Sequence, residues 1–298
     1  MRRWRNLTSP KTILAISLHG ATNAWLLATS EGLWRYAAGA DACEPIAEPL
    51  KGALLTAVAA HGDAALDPAG SLILVGASDG IAYSSDGGAS WTAGALHEPA
   101  QIAQIVLSPD FDRDGVAFAA TTNHGLLRST DRGKSWVYRN FGLPDYEVTA
   151  VALSPIFPVD GMLFVAVTGG LFYSLNRGES WRLSPIEPEA LPLAGIAFAR
   201  SVLIAGSETR GLYHSTNRGT HWHKRSAFSS GPISALAVSP NATTIALATP
   251  KVVAWSSDYG ETWERTEGRT PRGPLALWVG DDGTILCGTQ QDGLWIYG

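Results

Sequence analysis

Short apolar runs recur along the chain and alternate with clusters of Gly, Pro, Asp and Asn. Four such runs follow one another within residues 102–139, and four more within residues 148–183. The runs are rich in Val, Ile, Ala and Thr, as strands are, and helical periodicity does not persist over a useful length. The pattern therefore predicts a repeated unit of four short β-strands.

One motif, Ser-x-Asp/Asn-x-Gly-x-x-Trp, recurs between the third and fourth predicted strands of the unit. Its clear copies occupy residues 84–91, 129–136, 174–181, 215–222 and 256–263. Their Trp residues are 45, 45, 41 and 41 positions apart, a period that favours propeller blades over a sandwich. In four copies a Gly-Leu or Gly-Ile pair opens the third strand eleven residues before the Trp, and Val252-Val253 takes that place in the fifth.

Two further openings extend the repeat to the ends of the sequence. Gly32-Leu33 is followed eleven residues later by Cys43, in the Trp position, and Gly293-Leu294 has no room for a fourth strand before Gly298. We expect residues near Trp4 to supply that missing strand and close the ring, which leaves no large open edge. The prediction is an all-β, seven-bladed β-propeller of four-stranded blades, with residues 1–298 as one domain.

The repeated motif has a structural explanation in each of its positions. Its Asp or Asn side chain accepts hydrogen bonds from backbone N–H groups of its own turn. Its Gly suits a backbone conformation that other residues adopt only with strain, and its Trp offers a large apolar face. A turn repeated in every blade serves the fold, so these Asp residues are not expected to be catalytic.

The motif copies resemble the Asp-box proteins, also called the BNR-repeat superfamily, and they cover almost the entire chain. That resemblance implies a propeller whose motifs lie at the periphery, away from any active site. Its members include sialidases, xyloglucanases, sortilin-type receptors and photosystem II assembly-factor-like proteins. The chain lacks the Phe/Tyr-Arg-Ile-Pro segment of the sialidases, and its 298 residues accommodate one propeller, whereas the xyloglucanases use two. The single-domain assembly-factor-like and sortilin-like members are the nearest in kind.

Charge and composition exclude several classes of partner. The formal net charge of −5 lacks the basic field that nucleic acids and anionic membrane surfaces attract. No apolar run approaches the length of a transmembrane helix, so membrane insertion is not expected. The basic residues 1–5 and the apolar residues 13–18 mimic a signal peptide only faintly, and we expect a strand there and a cytoplasmic protein.

Candidate catalytic and metal sites have simpler explanations. The segment Asp110-Phe111-Asp112-Arg113-Asp114-Gly115 resembles the start of a calcium loop, but Thr121 stands where its Glu is expected, so we predict a plain hairpin turn. His221 and His223 are predicted to share one face of a strand, exposed and without a third metal ligand. Cys43 and Cys287 are predicted to be small buried apolar residues. We expect no catalytic residue, metal or cofactor.

A binding surface is predicted on one face of the ring. The loops from second to third strands and from blade to blade gather there, opposite the repeated motif, and function tends to lie on such loops. The second-to-third-strand loops carry polar residues that vary between blades: Glu31, Asp79, His124, Glu208, Arg210, Lys251 and Asp292. The blade-to-blade loops add Asn140, Asp145, Tyr146, Lys224 and Arg225, and residues 140–146 combine aromatics with turn residues.

These observations predict a non-catalytic propeller that binds another protein, as a scaffold, subunit or assembly factor. The alternative is a carbohydrate-active protein, a lectin or glycosidase, with a glycan as ligand. Exposed aromatics beside paired carboxylates on one face would favour that alternative. A cluster of three arginines there would instead favour a sialidase-like enzyme.

Overall fold

The computed structural model describes residues 2–20, 22–46, 50–62 and 71–298. Within them the secondary structure is almost entirely β, with two one-turn α-helices and two short 3-10 segments. The chain begins with β1 (Trp4–Leu7) and then forms six complete blades. Blade 1 contains β2 (Ile13–His19), β3 (Ala24–Thr29), β4 (Gly32–Ala37) and β5 (Glu44–Pro45). Blade 2 contains β6 (Leu55–His61), β7 (Leu72–Ala77), β8 (Ile81–Ser84) and β9 (Thr92–Ala93).

The next four blades repeat this arrangement. Blade 3 contains β10 (Ile102–Leu107), α1 (Phe111–Asp114), β11 (Ala117–Thr121), β12 (Leu126–Ser129) and β13 (Val137–Tyr138). Blade 4 contains β14 (Val148–Leu153), α2 (Phe157–Asp160), β15 (Leu163–Val167), β16 (Gly170–Ser174) and β17 (Arg182–Ser184). Blade 5 contains β18 (Leu193–Ala199), β19 (Val202–Ser207), β20 (Gly211–Ser215) and β21 (His223–Lys224). Blade 6 contains β22 (Ala235–Val238), β23 (Ile245–Ala248), β24 (Val253–Ser256) and β25 (Glu264–Arg265).

Blade 7 joins the two ends of the chain. Its first three strands are β26 (Pro274–Val279), β27 (Ile285–Thr289) and β28 (Leu294–Tyr297), and its outer strand is β1. β1 and β28 are antiparallel, with Trp4 opposite Tyr297 and Leu7 opposite Leu294. The Trp4 indole N–H also donates to Thr266 Oγ1 at 2.9 Å, which ties the strand to blade 6. The predicted seven-bladed propeller, closed by the N-terminal strand, is confirmed.

The hydrophobic core lies between neighbouring blades. Second strands such as β11, β15 and β27 are buried at every position, because the preceding blade covers one face of each blade and the following blade covers the other. The motif tryptophans fill the outer part of these interfaces. Trp136 of blade 3, for example, packs with Leu74 and Ile81 of blade 2. The core therefore grows by stacking blades, as the repeat implies.

The seam between blades 7 and 1 has different residues at the motif positions. Tyr36 and Tyr297 stand where the other blades have the motif Ser, and Cys43 stands at the Trp position. Tyr36 is fully buried and stacks on Trp25 with a 5.4 Å centroid separation. Trp25 in turn contacts the edge of Trp278 at 5.1 Å. Aromatic volume from other positions thus replaces the missing motif Trp at this interface.

The first strands of all seven blades line the central channel. These strands, β2, β6, β10, β14, β18, β22 and β26, contain no Asp, Glu, Lys or Arg. The channel wall that they form therefore offers no fixed charge for catalysis or for holding an ion. Charged chemistry is confined to the two faces and the outer rim.

Candidate functional site

The antiparallel topology of the blades divides their loops between two faces. The motif turns, together with the connections from first to second strands, form one face, here called the motif face. The connections from second to third strands and from blade to blade form the opposite one, here called the loop face. All of the residues predicted from sequence to form a binding surface lie on connections of the loop face or at their edges.

The motif turns use their polar groups internally. In blade 3, Asp131 Oδ1 accepts hydrogen bonds from Ser129 Oγ at 2.8 Å and from the Ser135 backbone N–H at 2.9 Å. Ser129 Oγ accepts from the Gly133 N–H, and the Trp136 indole donates to the Gly133 carbonyl. The same bonds between Ser, Asp or Asn and backbone recur in the other four copies. These carboxylates and amides are committed to the turn.

The loop that resembles a calcium site is a one-turn helix, so the predicted plain hairpin turn is wrong. Phe111 of α1 is buried, and Gly115 ends the helix in the left-handed conformation at φ 60°. Asp114 Oδ2 accepts from Ser108 Oγ at 2.6 Å, and its Oδ1 accepts from the Val116 N–H at 2.9 Å. Asp112 points elsewhere, to His61 at 2.7 Å. Asp112 and Asp114 therefore have separate partners, and the Asp110 carboxylate lies 3.8 Å from Arg113.

Blade 4 repeats the same helical turn with different exposed residues. Ser154 donates to Asp160 at 3.0 Å, and Asp160 accepts from the Met162 N–H at 3.0 Å. The shared sequence Ser-Pro-x-Phe-x-x-Asp-Gly, at residues 108–115 and 154–161, could have indicated this element. Across the described residues no group of three or more His, Cys, Asp or Glu side chains is arranged to hold a metal ion.

His221 and His223 do not share a strand face, contrary to the prediction. The strand β21 begins at His223, and His221 belongs to the preceding motif turn. There its N–H donates to Asn217 Oδ1 at 2.9 Å, and its ring lies against the Asn217 amide. His223 instead packs on His214, with ring centroids 5.7 Å apart. His221 is not in an extended strand because the Asn217 side chain binds its backbone N–H and holds it in the turn.

Both cysteines are buried, as predicted. Burial raises the pKa of the Cys43 and Cys287 thiols to about 12. Neither thiol is therefore ionised near neutral pH, which is unsuited to a nucleophilic role.

The loop face repeats a hydrogen-bonding device that the sequence analysis missed. In five blades a Thr or Ser ends or directly follows the second strand, at Thr29, Thr121, Ser207, Thr249 and Thr289. Each hydroxyl accepts from the backbone N–H of a predicted site residue, at 2.8–3.2 Å: Glu31, His124, Arg210, Lys251 and Asp292. Four of the hydroxyls also donate to the carbonyl that opens the third strand. This hydroxyl clamp fixes the loop backbone, whereas the side chains that it presents differ in every blade.

Glu98 shares a cleft with one predicted site residue, Asp79, and lies beside another, His124. The cleft belongs to blade 2 and to the connections that precede and follow it. His124 Nε2 lies 3.7 Å from Glu98 Oε1, and Tyr138 donates to the same oxygen at 3.4 Å. The sequence analysis missed Glu98. Nothing in its local sequence sets it apart, because its contacts come from blade packing.

The remaining predicted residues stand at separate places around the ring. Glu208 and Arg210 share the turn after β19 in blade 5, whereas Glu31 and Lys251 lie on blades 1 and 6. Asp292 of blade 7 borders a second cleft with Arg272, and its carboxylate lies 3.7 Å from Arg269. The loop face thus presents several local groups of polar residues.

The loop between blades 3 and 4 displays two aromatic side chains on a fixed backbone. Phe141 is 81% exposed and Tyr146 is 49% exposed. Asn140 Oδ1 accepts from the Leu126 N–H at 2.9 Å, and its Nδ2 donates to the His124 carbonyl at 2.8 Å. The Gly125 N–H donates to the Tyr146 carbonyl at 2.8 Å. Asn140 therefore has a structural role that holds the aromatics in place.

Three other residues predicted from the blade-to-blade loops have local partners. Asp145 Oδ1 accepts from the Glu147 N–H at 3.0 Å. Arg225 donates to both oxygens of Glu261, at 2.8 and 2.9 Å, and is largely buried. Lys224 lies over the Tyr213 ring. Arg225 is committed to the joint between blades 5 and 6, which leaves the aromatic loop as the more open surface.

Comparison with known proteins supports the fold alone. No protein-family model and no curated protein matches the chain. Among solved structures, one described as YCF48 bound to D1 peptide is similar over 99% of this chain and 96% of that chain, with 16% identity and a TM-score of 0.73. A GH74 xyloglucanase from Xanthomonas campestris has a TM-score of 0.76 at 17% identity, and this chain covers 53% of it. A streptogramin B lyase is similar over 97% of its length, with 13% identity and a TM-score of 0.75.

These neighbours have different activities on one architecture, so the fold does not select among them. In addition, no helix among the described residues is long and apolar enough to cross a membrane.

Proposed function

We propose that this protein is a non-catalytic, protein-binding propeller of the Asp-box superfamily that acts as a scaffold, subunit or assembly factor. The loop face is its recognition surface. One observation carries the proposal: the hydroxyl clamp repeats the loop backbone from blade to blade, while the side chains that it presents do not repeat. A fixed framework with variable side chains is how rigid scaffolds present binding residues.

The aromatic loop supplies the anchor for such a surface. Exposed aromatic side chains dominate the binding energy of many protein interfaces, particularly when they are surrounded by polar residues. Because Asn140 and the Gly125 N–H already hold the backbone around Phe141 and Tyr146, little conformational entropy is lost when a partner covers these rings. The YCF48 neighbour, of similar length and described as bound to a peptide, supports this use of the architecture.

Affinity capture from the native cell lysate, followed by quantitative mass spectrometry, tests the proposal. The protein and two variants serve as baits: Phe141→Ala/Tyr146→Ala on the loop face, and Val159→Ala/Leu175→Ala on the motif face. Val159 is 85% exposed and Leu175 51% exposed, so the second variant truncates two similarly exposed apolar side chains on the other face. We expect a stoichiometric partner that the loop-face variant loses and the motif-face variant keeps. Loss with the motif-face variant alone would contradict the proposal.

A glycan-binding role is the second candidate. Phe141 and Tyr146 share one loop with Asp145 and Glu147, so exposed aromatics lie beside two carboxylates. Aromatic faces with neighbouring polar groups also suit sugar rings. A glycan array probed with the same three proteins separates the candidates. A signal that Phe141→Ala/Tyr146→Ala abolishes, without any captured protein partner, would put the carbohydrate role first.

A further inference from the structure

A cleft in blade 2, between the connections that precede and follow that blade, has an apolar floor and two carboxylates at its rim. It has a volume of about 430 Å³ and opens on the loop face. Its floor consists of Leu50, Leu55, Val75, Ile81 and Leu96. Leu55, Val75 and Ile81 are core residues with at most 4% exposure, so the floor is part of the rigid blade interface. An apolar pocket of this size accommodates one or two side chains of a ligand.

The rim of the cleft carries two exposed carboxylates, Asp79 and Glu98. In the described part of the chain no Lys or Arg lines the cleft, His97 is the basic side chain that does, and Lys51 adjoins the lining residue Leu50 in sequence. Among the described residues neither carboxylate is paired with a Lys or Arg. Glu98 is nonetheless held in position, because Tyr138 donates to it and His124 lies beside it. The rim therefore presents negative charge that a ligand can neutralise.

We propose that this cleft binds an extended segment of a partner protein in which an apolar side chain adjoins a Lys or Arg. The apolar side chain enters the cleft, and the cation lies against Asp79 and Glu98. The charge of the rim selects a cationic partner, and the uncharged floor selects an aliphatic or aromatic neighbour for that cation. The inference rests on the proposed protein-binding function and names the chemistry that one part of the loop face recognises.

Selection of random twelve-residue peptides displayed on phage, with the full chain as the immobilised target, tests the proposal. We expect the enriched sequences to share an aliphatic or aromatic residue next to Lys or Arg. One enriched peptide is then synthesised with a fluorophore, and its affinity for the protein is measured by fluorescence anisotropy. Its binding should weaken as salt rises, because exposed ion pairs are screened.

Charge variants of the rim locate the binding site. Asp79→Asn/Glu98→Gln keeps the shapes and removes both charges, and we expect the peptide to bind about 5- to 20-fold more weakly. The matched control, Glu189→Gln/Glu267→Gln, removes two exposed carboxylates from blade-to-blade loops of the same face, outside both the cleft and the aromatic loop. It should change the affinity by less than about twofold. A rim variant with Asp79→Lys/Glu98→Lys should instead bind a peptide whose Lys or Arg is replaced by Glu.

Several outcomes would overturn the inference. Enriched peptides without a basic residue, or equal weakening by the rim variant and its control, would do so. If the peptides bind but respond only to Phe141→Ala/Tyr146→Ala, the cleft is not their site, although the protein-binding function stands. If no peptide is enriched while the capture experiment still yields a partner, the cleft inference fails alone. Hexylammonium binding as tightly as the peptide would point to a small amine and exclude the protein segment.

Discussion

The two faces of the propeller use hydrogen bonds in opposite ways. On the motif face the Asp or Asn of each motif copy accepts hydrogen bonds within its own turn, as Asp131 does from Ser129 and Ser135. On the loop face a buried hydroxyl such as that of Thr121 binds the backbone of the turn. The side chain at the bonded position, His124 in this blade, is a different residue in each of the other clamped blades. The repeated Asp and Asn side chains are therefore used within the fold, whereas the side chains that vary between the clamped loops are the ones that we propose for recognition.

The largest effect is expected from a motif tryptophan. Trp136 is 4% exposed and packs between blades 2 and 3, so Trp136→Ala should lower the free energy of unfolding by about 3–5 kcal/mol. Guanidinium unfolding followed by circular dichroism measures this. The neighbouring Val137 is 54% exposed, and Val137→Ala should change stability by less than about 0.5 kcal/mol. Similar losses in both variants would mean that the motif Trp is not a core residue.

On the loop face, Phe141→Ala should weaken partner binding and leave the stability of the fold almost unchanged. We expect the affinity for the captured partner to fall about 10- to 100-fold, since an aromatic side chain that is 81% exposed and that we propose as the anchor is removed. The free energy of unfolding should stay within about 0.5 kcal/mol of the unsubstituted protein. Surface plasmon resonance and chemical unfolding measure the two quantities. A large loss of stability with unchanged affinity would show that Phe141 supports the fold instead.

A pair of hydroxyl deletions within blade 3 compares the faces directly. Ser129→Ala removes the hydroxyl of the motif turn, and Thr121→Val removes that of the hydroxyl clamp. Each leaves buried backbone groups without a partner, which costs about 1–3 kcal/mol of stability. Only Thr121→Val should also weaken partner binding, because it loosens the turn that carries His124. Equal effects on binding would argue against separate roles for the faces.

The smallest effect concerns acid stability. The hydrogen bond from the Ser90 hydroxyl, together with those from the Ser90 backbone and Ser84, lowers the pKa of Asp86 from its usual 3.8 to about 2. Because the folded-state pKa lies below the unfolded one, this contribution to stability is complete above pH 3.8 and is lost as the pH falls towards 2. Urea unfolding at pH 6, 4 and 2 measures it.

The chain itself suggests the control for that measurement. Asn176 and Asn217 occupy the Asp position in other blades and accept the same backbone bonds. Asp86→Asn should therefore keep the turn while it loses less stability than the unsubstituted protein between pH 4 and 2. Identical pH dependence in both proteins would show that Asp86 contributes nothing to acid sensitivity.

The architecture was predictable because the Gly openings and the Trp motif mark the third and fourth strands of each repeated unit. The spacing of the motif tryptophans indicated blades, and the unfinished seventh unit indicated that Trp4 would complete it. Both predictions depended on residues that recur at fixed intervals, so many weak signals agreed on one period. The exposure of Phe141 and Tyr146 was also predictable, since turn residues and aromatics are combined in residues 140–146.

The contacts that define the candidate surface were less accessible to sequence analysis. Glu98 and His124 are 26 positions apart and meet because adjacent blades bring two unrelated loops together. The helix α1 was missed because its acidic residues suggested a loop, whereas the buried Phe111 determines the local structure. His221 was assigned to a strand because alternation was counted through a turn that Asn217 holds in place.

Because β1 completes blade 7, the closed ring does not depend on which blade comes first in the sequence. The Arg3 N–H donates to the Gly298 carbonyl at 3.2 Å, so residues 3 and 298 are neighbours in blade 7. A short linker between these two positions would connect β1 to β28, and the chain can then be opened in another blade-to-blade loop, for example at the exposed Gly268. Such circular permutants should keep the same ring while the new termini move around its circumference. That freedom offers a choice of attachment points for labels and fused domains.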